Sequence, residues 1–148
     1  MVKFDVLNGT LILQNLSLNQ HSTQTDLQNA ALKIHSQYSE WINYETVGLF
    51  LDDLGFFTLH LKDYRLVMMT FVSSQFKDIY PSKEYLINDK DRLCKLLEKA
   101  YELKPFAAST ASNQYAFDWG NLYINVDLKS QVTSVKIIWS KVALENKG

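Results

Sequence analysis

Residues 46–72 read TVGLFLDDLGFFTLHLKDYRLVMMTFV, and this stretch decides the fold class. Thr46 to Leu51, Phe56 to Leu61 and Tyr64 to Val72 are short runs rich in β-branched and aromatic side chains, the composition of strands. Asp52-Asp53-Leu54-Gly55 and Lys62-Asp63 break them with turn-forming residues. Parallel neighbours would need crossovers of a dozen residues or more, so breaks this short predict an antiparallel meander.

On the N-terminal side, Lys3 to Leu7 and Thr10 to Gln14 flank Asn8-Gly9, a pair that adopts the positive φ angles of a type I′ turn and predicts a hairpin. Ser22 and Thr23 can cap a helix, with Asp26 as an acid in its first turn. Leu27, Ala30, Ala31, Ile34 and Tyr38 then fall at helical spacing, which predicts a helix over about 23–38. On the C-terminal side a polar loop, Ser73 to Lys83, leads to a second helix over 89–103. Asn88 or Asp89 would cap it, Leu93, Leu96, Leu97, Ala100 and Tyr101 would form its apolar stripe, and Pro105 would stop it. After the small-residue loop Ala107 to Asn113, Gln114 to Trp119, Leu122 to Leu128 and Val132 to Trp139 read as three more strands, and the tail from Lys141 is expected to fray.

The two stretches 11–72 and 85–139 thus read alike, and Leu59-His60-Leu61-Lys62 echoes Val126-Asp127-Leu128-Lys129. The expected fold is a single α+β domain over 1–148: two helices packed on a mainly antiparallel sheet, with the pattern pointing to an internal duplication of a β-α-β-β-β unit.

Composition narrows the function. The aromatic content of 13%, from 8 Tyr, 8 Phe and 3 Trp, favours strands and supplies interface anchors. Cys94 is the single cysteine, so no intramolecular disulfide forms. Polar Asn8-Gly9-Thr10 stands where a secretory apolar core would run, and no apolar stretch approaches the roughly 20 residues of a membrane span, so a cytoplasmic location is expected. Net charge is −1: residues 1–60 hold two Lys against six Asp/Glu, or −4, and residues 61–148 hold 13 Lys/Arg against 10 Asp/Glu, or +3. The cations are scattered, whereas nucleic-acid binding concentrates them in a basic footprint.

No motif carries catalysis or a cofactor. His21, His35 and His60 lack the spacing of metal ligands, Cys94 adjoins an apolar stripe without an activating charge, and Asp52-Asp53 reads as a turn. No phosphate-binding loop, nucleophile elbow or Cys-x-x-Cys is present. The expectation is therefore a non-catalytic binding protein with no metal and no cofactor. Its candidate partner-binding residues are Glu40, Trp41, Tyr44 and Glu45, with Asp52 and Asp53 nearby in sequence: aromatic anchors beside acids that would steer a positively charged partner.

The layout, with Val47 to Gly55 and with Phe117-Asp118-Trp119-Gly120 running on to Val135-Lys136-Ile137-Ile138-Trp139, resembles small bacterial immunity proteins of polymorphic-toxin and contact-dependent-inhibition systems. The resemblance implies stoichiometric capture of a cognate toxin domain, such as a basic nuclease, in the cytoplasm. A secretion-type chaperone or adaptor, and a small-ligand-binding α+β domain, are the competing readings.

Overall fold

The computed structural model describes residues 2–14, 16–30, 32–74 and 81–139. The expected tail beyond Trp139 and part of the expected loop before Pro81 lie outside the described residues. Among those described, strand accounts for 55% and helix for 20%, so the molecule is sheet-dominated and not a pair of helices laid on a sheet. Eleven strands form one mixed sheet: β1 (Val2–Asp5), β2 (Thr10–Leu13), β3 (Leu16–Leu18), β4 (Lys33–Tyr38), β5 (Trp41–Phe50), β6 (Asp53–Lys62), β7 (Arg65–Ser73), β8 (Ala107–Ala108), β9 (Ser112–Phe117), β10 (Gly120–Asp127) and β11 (Val132–Trp139). The helices are α1 (Gln24–Asn29) and α2 (Lys83–Tyr101).

The order across the sheet is β3-β2-β1-β5-β6-β7-β11-β10-β9-β8, with β4 paired to the first half of β5. β1 runs parallel to the second half of β5, through Val2 opposite Gly48 and Lys3 opposite Leu49, while the other pairings are antiparallel. The meander expected over 46–72 is therefore present as β5-β6-β7, and β11 joins it by pairing Val135 with Phe71 and Ile137 with Met69.

The expected helix over 23–38 is overturned. Thr23 does cap a helix, its amide donating to the Asp26 carboxylate at 2.9 Å, but α1 ends after six residues and 33–38 pair with β5. Ile34 and Tyr38, read as one apolar stripe with Leu27, are 51% and 80% exposed. A six-residue helix gains little from its own hydrogen bonds, and the ladder offered by Trp41–Glu45 outcompetes further turns. The second helix begins earlier than expected, at Lys83, because the Ser82 side chain accepts the Tyr85 amide at 3.1 Å. It stops at Glu102, whose φ of 54° is left-handed. The repeated β-α-β-β-β unit is likewise replaced. Residues 11–72 contain β2, β3, α1 and then four strands, and 85–139 contain most of α2 followed by four strands.

Strand alternation assigns one face of the sheet to the core: Ile42, Tyr44 and Phe50 of β5, Phe57, Leu59 and Leu61 of β6, Met69 and Phe71 of β7, and Val135, Ile137 and Trp139 of β11 are buried. α2 covers this face on the β10–β11 side with Leu93, Cys94 and Leu97, and Thr133 donates to the Leu86 carbonyl at 2.9 Å. The sheet curls so that the β1–β2 hairpin meets the β9–β10 turn and the end of β11 across the core. The Trp119 indole donates to the Val6 carbonyl at 2.8 Å, the Trp139 indole donates to the Gly9 carbonyl at 2.7 Å, and Phe4 meets Trp119 edge-on at 5.9 Å. The hairpin that makes these contacts has a four-residue connection, Val6 to Gly9, between Asp5 and its partner Thr10, and not the two-residue turn expected from Asn8-Gly9. Gly9 has φ +64°, and a Cβ there would sit 2.3 Å from the Trp119 ring, so the position admits only glycine without displacement.

Candidate partner-binding face

The alternation that fills the core leaves a second face made of the intervening residues, and neither helix covers it. Across its middle runs a hydrogen-bonded row. Asn43 of β5 donates to the Ser36 hydroxyl at 2.9 Å, and its carbonyl oxygen lies 2.7 Å from Nδ1 of His60 on β6. Nε2 of His60 faces the Thr70 hydroxyl on β7 at 3.4 Å. With Asn43 committed as donor to Ser36, its oxygen accepts from His60, which places the imidazole proton on Nδ1. Burial first, and Lys136 second, hold the His60 pKa below the usual histidine range, so the ring is neutral near pH 7. The row continues by register from Thr70 to Lys136 of β11 and Tyr123 of β10. Beside it, His60, Met68, Thr70, Asn125, Ser134 and Lys136 border an open groove of about 660 Å³.

The two ends of this face differ in character. At the β4–β5 end Tyr38 stands opposite Trp41, and Lys62 lies 5.9 Å above the Trp41 ring. At the other end Val47 and Leu54 are exposed, and Val47, Phe56 and Val72 follow one another across β5, β6 and β7.

The six candidate residues do not form one surface. Trp41 and Glu45 lie on the uncovered face, and Glu40 sits in the turn before β5, 4.0 Å from Lys62. Tyr44 points the other way: it is 1% exposed and belongs to the core, where its hydroxyl accepts from Gln24 at 3.3 Å. Asp52 and Asp53 occupy the far end of the β5–β6 hairpin, about 30 Å from Trp41 at the rise of an extended strand. Asp53 is committed to α2 through a bidentate pair with Arg92, at 2.6 and 3.2 Å, and Arg92 also donates to Asp89 at 3.0 Å. Paired in this way, the Arg92 guanidinium is held above its usual range. Glu45 faces His35 at 3.8 Å. Two of the acids that biased the first sixty residues, Glu40 and Asp53, thus already face cations of this chain, Lys62 and Arg92.

Asn43, Thr70, Tyr123 and Lys136 were not among the sequence candidates. Their signal was present in the alternation, since each occupies the parity opposite to the buried set, but only the register brings four strands together. The histidines lie apart on a loop, β4 and β6. Cys94 is buried and its thiol is pushed up chiefly by desolvation, the setting of an unreactive core cysteine. Among the described residues no three His, Cys, Asp or Glu side chains cluster as metal ligands, and no helix is long and apolar enough to cross a membrane.

No protein-family model, curated protein or solved structure matches the chain.

Proposed function

We propose that this chain is a non-catalytic, cytoplasmic protein-binding domain of the immunity type, which captures a cognate toxin domain on the uncovered face of its sheet. The observation that carries the reading is that face itself: one side of the sheet is packed, while the other presents aromatic, apolar and hydrogen-bonding side chains from β5 to β10, and among the described residues no helix covers it. Such a mixture of an aromatic corner, a polar middle and an apolar end fits the composition of a protein interface. The groove beside His60 is open and shallow in shape, more like part of a broad docking surface than the enclosed cleft that holds a small molecule. Recognition would rest on shape and hydrogen bonding more than on long-range charge, because Glu40 and Asp53 are already opposed by Lys62 and Arg92.

The test is binding between this protein and the purified polypeptide encoded beside its gene. Trp41→Ala and Tyr123→Ala, each confirmed to be folded by circular dichroism, should weaken binding by about thirtyfold, as loss of a hot spot of roughly 2 kcal/mol does. Asp52→Lys, at the far end of the hairpin, should leave the affinity within about threefold, the range of a rim substitution. A wild-type protein that does not bind the neighbouring product overturns the immunity reading. Unchanged affinity in both aromatic variants overturns the choice of face.

A further inference from the structure

Sheet edges are where a chain is exposed to pairing with another strand, and β4 differs from the other edges here. The ends of the sheet are short strands, β3 with three residues and β8 with two, which offer little to a partner. β4 is six residues long, each exposed, and its inner edge alone is paired, with β5. Among the described residues no strand pairs with its outer edge, and no proline interrupts it.

An unbroken six-residue strand cannot pair with its own copy about its centre. Such pairing sets residue 33 against 38 and 34 against 37, odd against even, whereas residues directly opposite in an antiparallel pair must point to the same face. β4 contains a bulge between Ile34 and Ser36, and the bulge reverses the parity halfway along. Lys33 stands opposite Glu45, and Ser36 and Tyr38 stand opposite Asn43 and Trp41, all on the uncovered face; Ile34 and Gln37 stand opposite Tyr44 and Ile42, on the core face. After this reversal, positions 33 and 38 share a face and so do 34 and 37.

We propose that two copies of this chain associate through β4, antiparallel about a two-fold axis between His35 and Ser36, joining two sheets into one. Lys33 then lies opposite the partner subunit's Tyr38, and Ile34 opposite the partner subunit's Gln37. The bulges face each other with equal numbers of residues on both sides, so the ladder stays in phase. No like charges meet. The Lys33 ammonium approaches the ring of the partner's Tyr38, and part of the apolar surface of Ile34 and Tyr38, 51% and 80% exposed in the single chain, is covered. A shift of one residue in either direction sets Lys33 against the partner's Gln37 or Ile34 against the partner's Tyr38, in both cases a residue of one face against a residue of the other. The isologous geometry closes at two subunits and does not propagate. A contact this narrow makes a transient dimer.

Sedimentation velocity of the full chain, from low micromolar to several hundred micromolar, should show the mass rise from 17.1 kDa toward twice that value. Tyr38→Lys places like charges opposite each other twice per dimer and should weaken association about tenfold, while Tyr38→Glu creates two cross-strand ion pairs and should strengthen it. Lys33→Glu combined with Tyr38→Lys should restore the wild-type constant or better. All are substitutions of exposed side chains, and a circular dichroism spectrum identical to wild type establishes that the fold is retained. A wild-type chain that stays monomeric throughout overturns the proposal. So does a change in the same direction for Tyr38→Lys and Tyr38→Glu, which would show that position 38 does not face Lys33 of a second copy. Neither outcome touches the reading of the uncovered face, which rests on Trp41 and Tyr123 and on a different ligand.

Discussion

Gly9→Ala tests whether the closure of the sheet depends on one backbone position. Gly9 holds φ at +64°, and an alanine in that left-handed region costs about 1–2 kcal/mol before any contact is considered. The new methyl would stand 2.3 Å from Cδ2 and 2.4 Å from Cγ of Trp119, far inside van der Waals contact. The ring cannot swing aside freely, since its indole is bonded to Val6, Phe117 stacks on it and Phe4 packs against it at near right angles. Overpacking of this kind costs about 1–3 kcal/mol. The same turn presents the Gly9 carbonyl to Trp139, so displacing the hairpin also strains a second buried hydrogen bond, worth about 1 kcal/mol. The sum is about 3–6 kcal/mol. In urea, with a slope of about 1–3 kcal/mol per molar for a chain of this size, the unfolding midpoint should fall by at least about 1 M at unchanged slope. Tryptophan fluorescence is the suitable probe, because the substitution acts on Trp119 and, through the turn, on Trp139. A midpoint within about 0.3 M of wild type would refute the reasoning, since it would mean that the hairpin carries the methyl without moving either indole.

Leu97→Ala should lower stability by about 2–5 kcal/mol, because Leu97 is wholly buried where α2 meets the sheet; an unchanged urea midpoint would remove α2 from the core. His60 supplies a pH dependence with a definite sign. Its folded pKa is depressed by burial and by Lys136, so its contribution to stability is fully present above the unfolded value of about 6.5 and is lost as pH falls through the lower folded value. Lys136→Gln should raise the imidazole pKa seen by NMR titration, and a wild-type His60 titrating at or above about 6.5 would contradict the assignment.

The sequence by itself determined the strands whose pattern is local and two-sided. β5-β6-β7 and β11 were legible because alternation and short turns are properties of neighbouring residues, and Met69, Phe71, Val135, Ile137 and Trp139 are buried on one parity of those strands. The cap at Thr23 was legible for the same reason. What followed the cap was not. Leu27, Ala30, Ile34 and Tyr38 satisfy a helical period, yet residues 33–38 are a strand because Trp41–Glu45 lie beside them to complete a ladder, a fact of tertiary pairing. The early start of α2 at Ser82 was hidden because a polar first turn looks like a loop until its cap is seen. The candidate site divided along the same line. Trp41 lies on the uncovered face, but Tyr44 and the two aspartates were grouped with it by sequence distance, while strand alternation turns Tyr44 inward and a ten-residue hairpin arm carries Asp52 and Asp53 to the opposite end. The Asn43, His60, Thr70 and Lys136 row comes from four strands, and the Gly9, Trp119 and Trp139 closure joins residues more than a hundred positions apart. Only the register and curl of the folded sheet bring such groups within bonding distance, because a hydrogen bond is decided by position in space and the sequence specifies that position only through every pairing between.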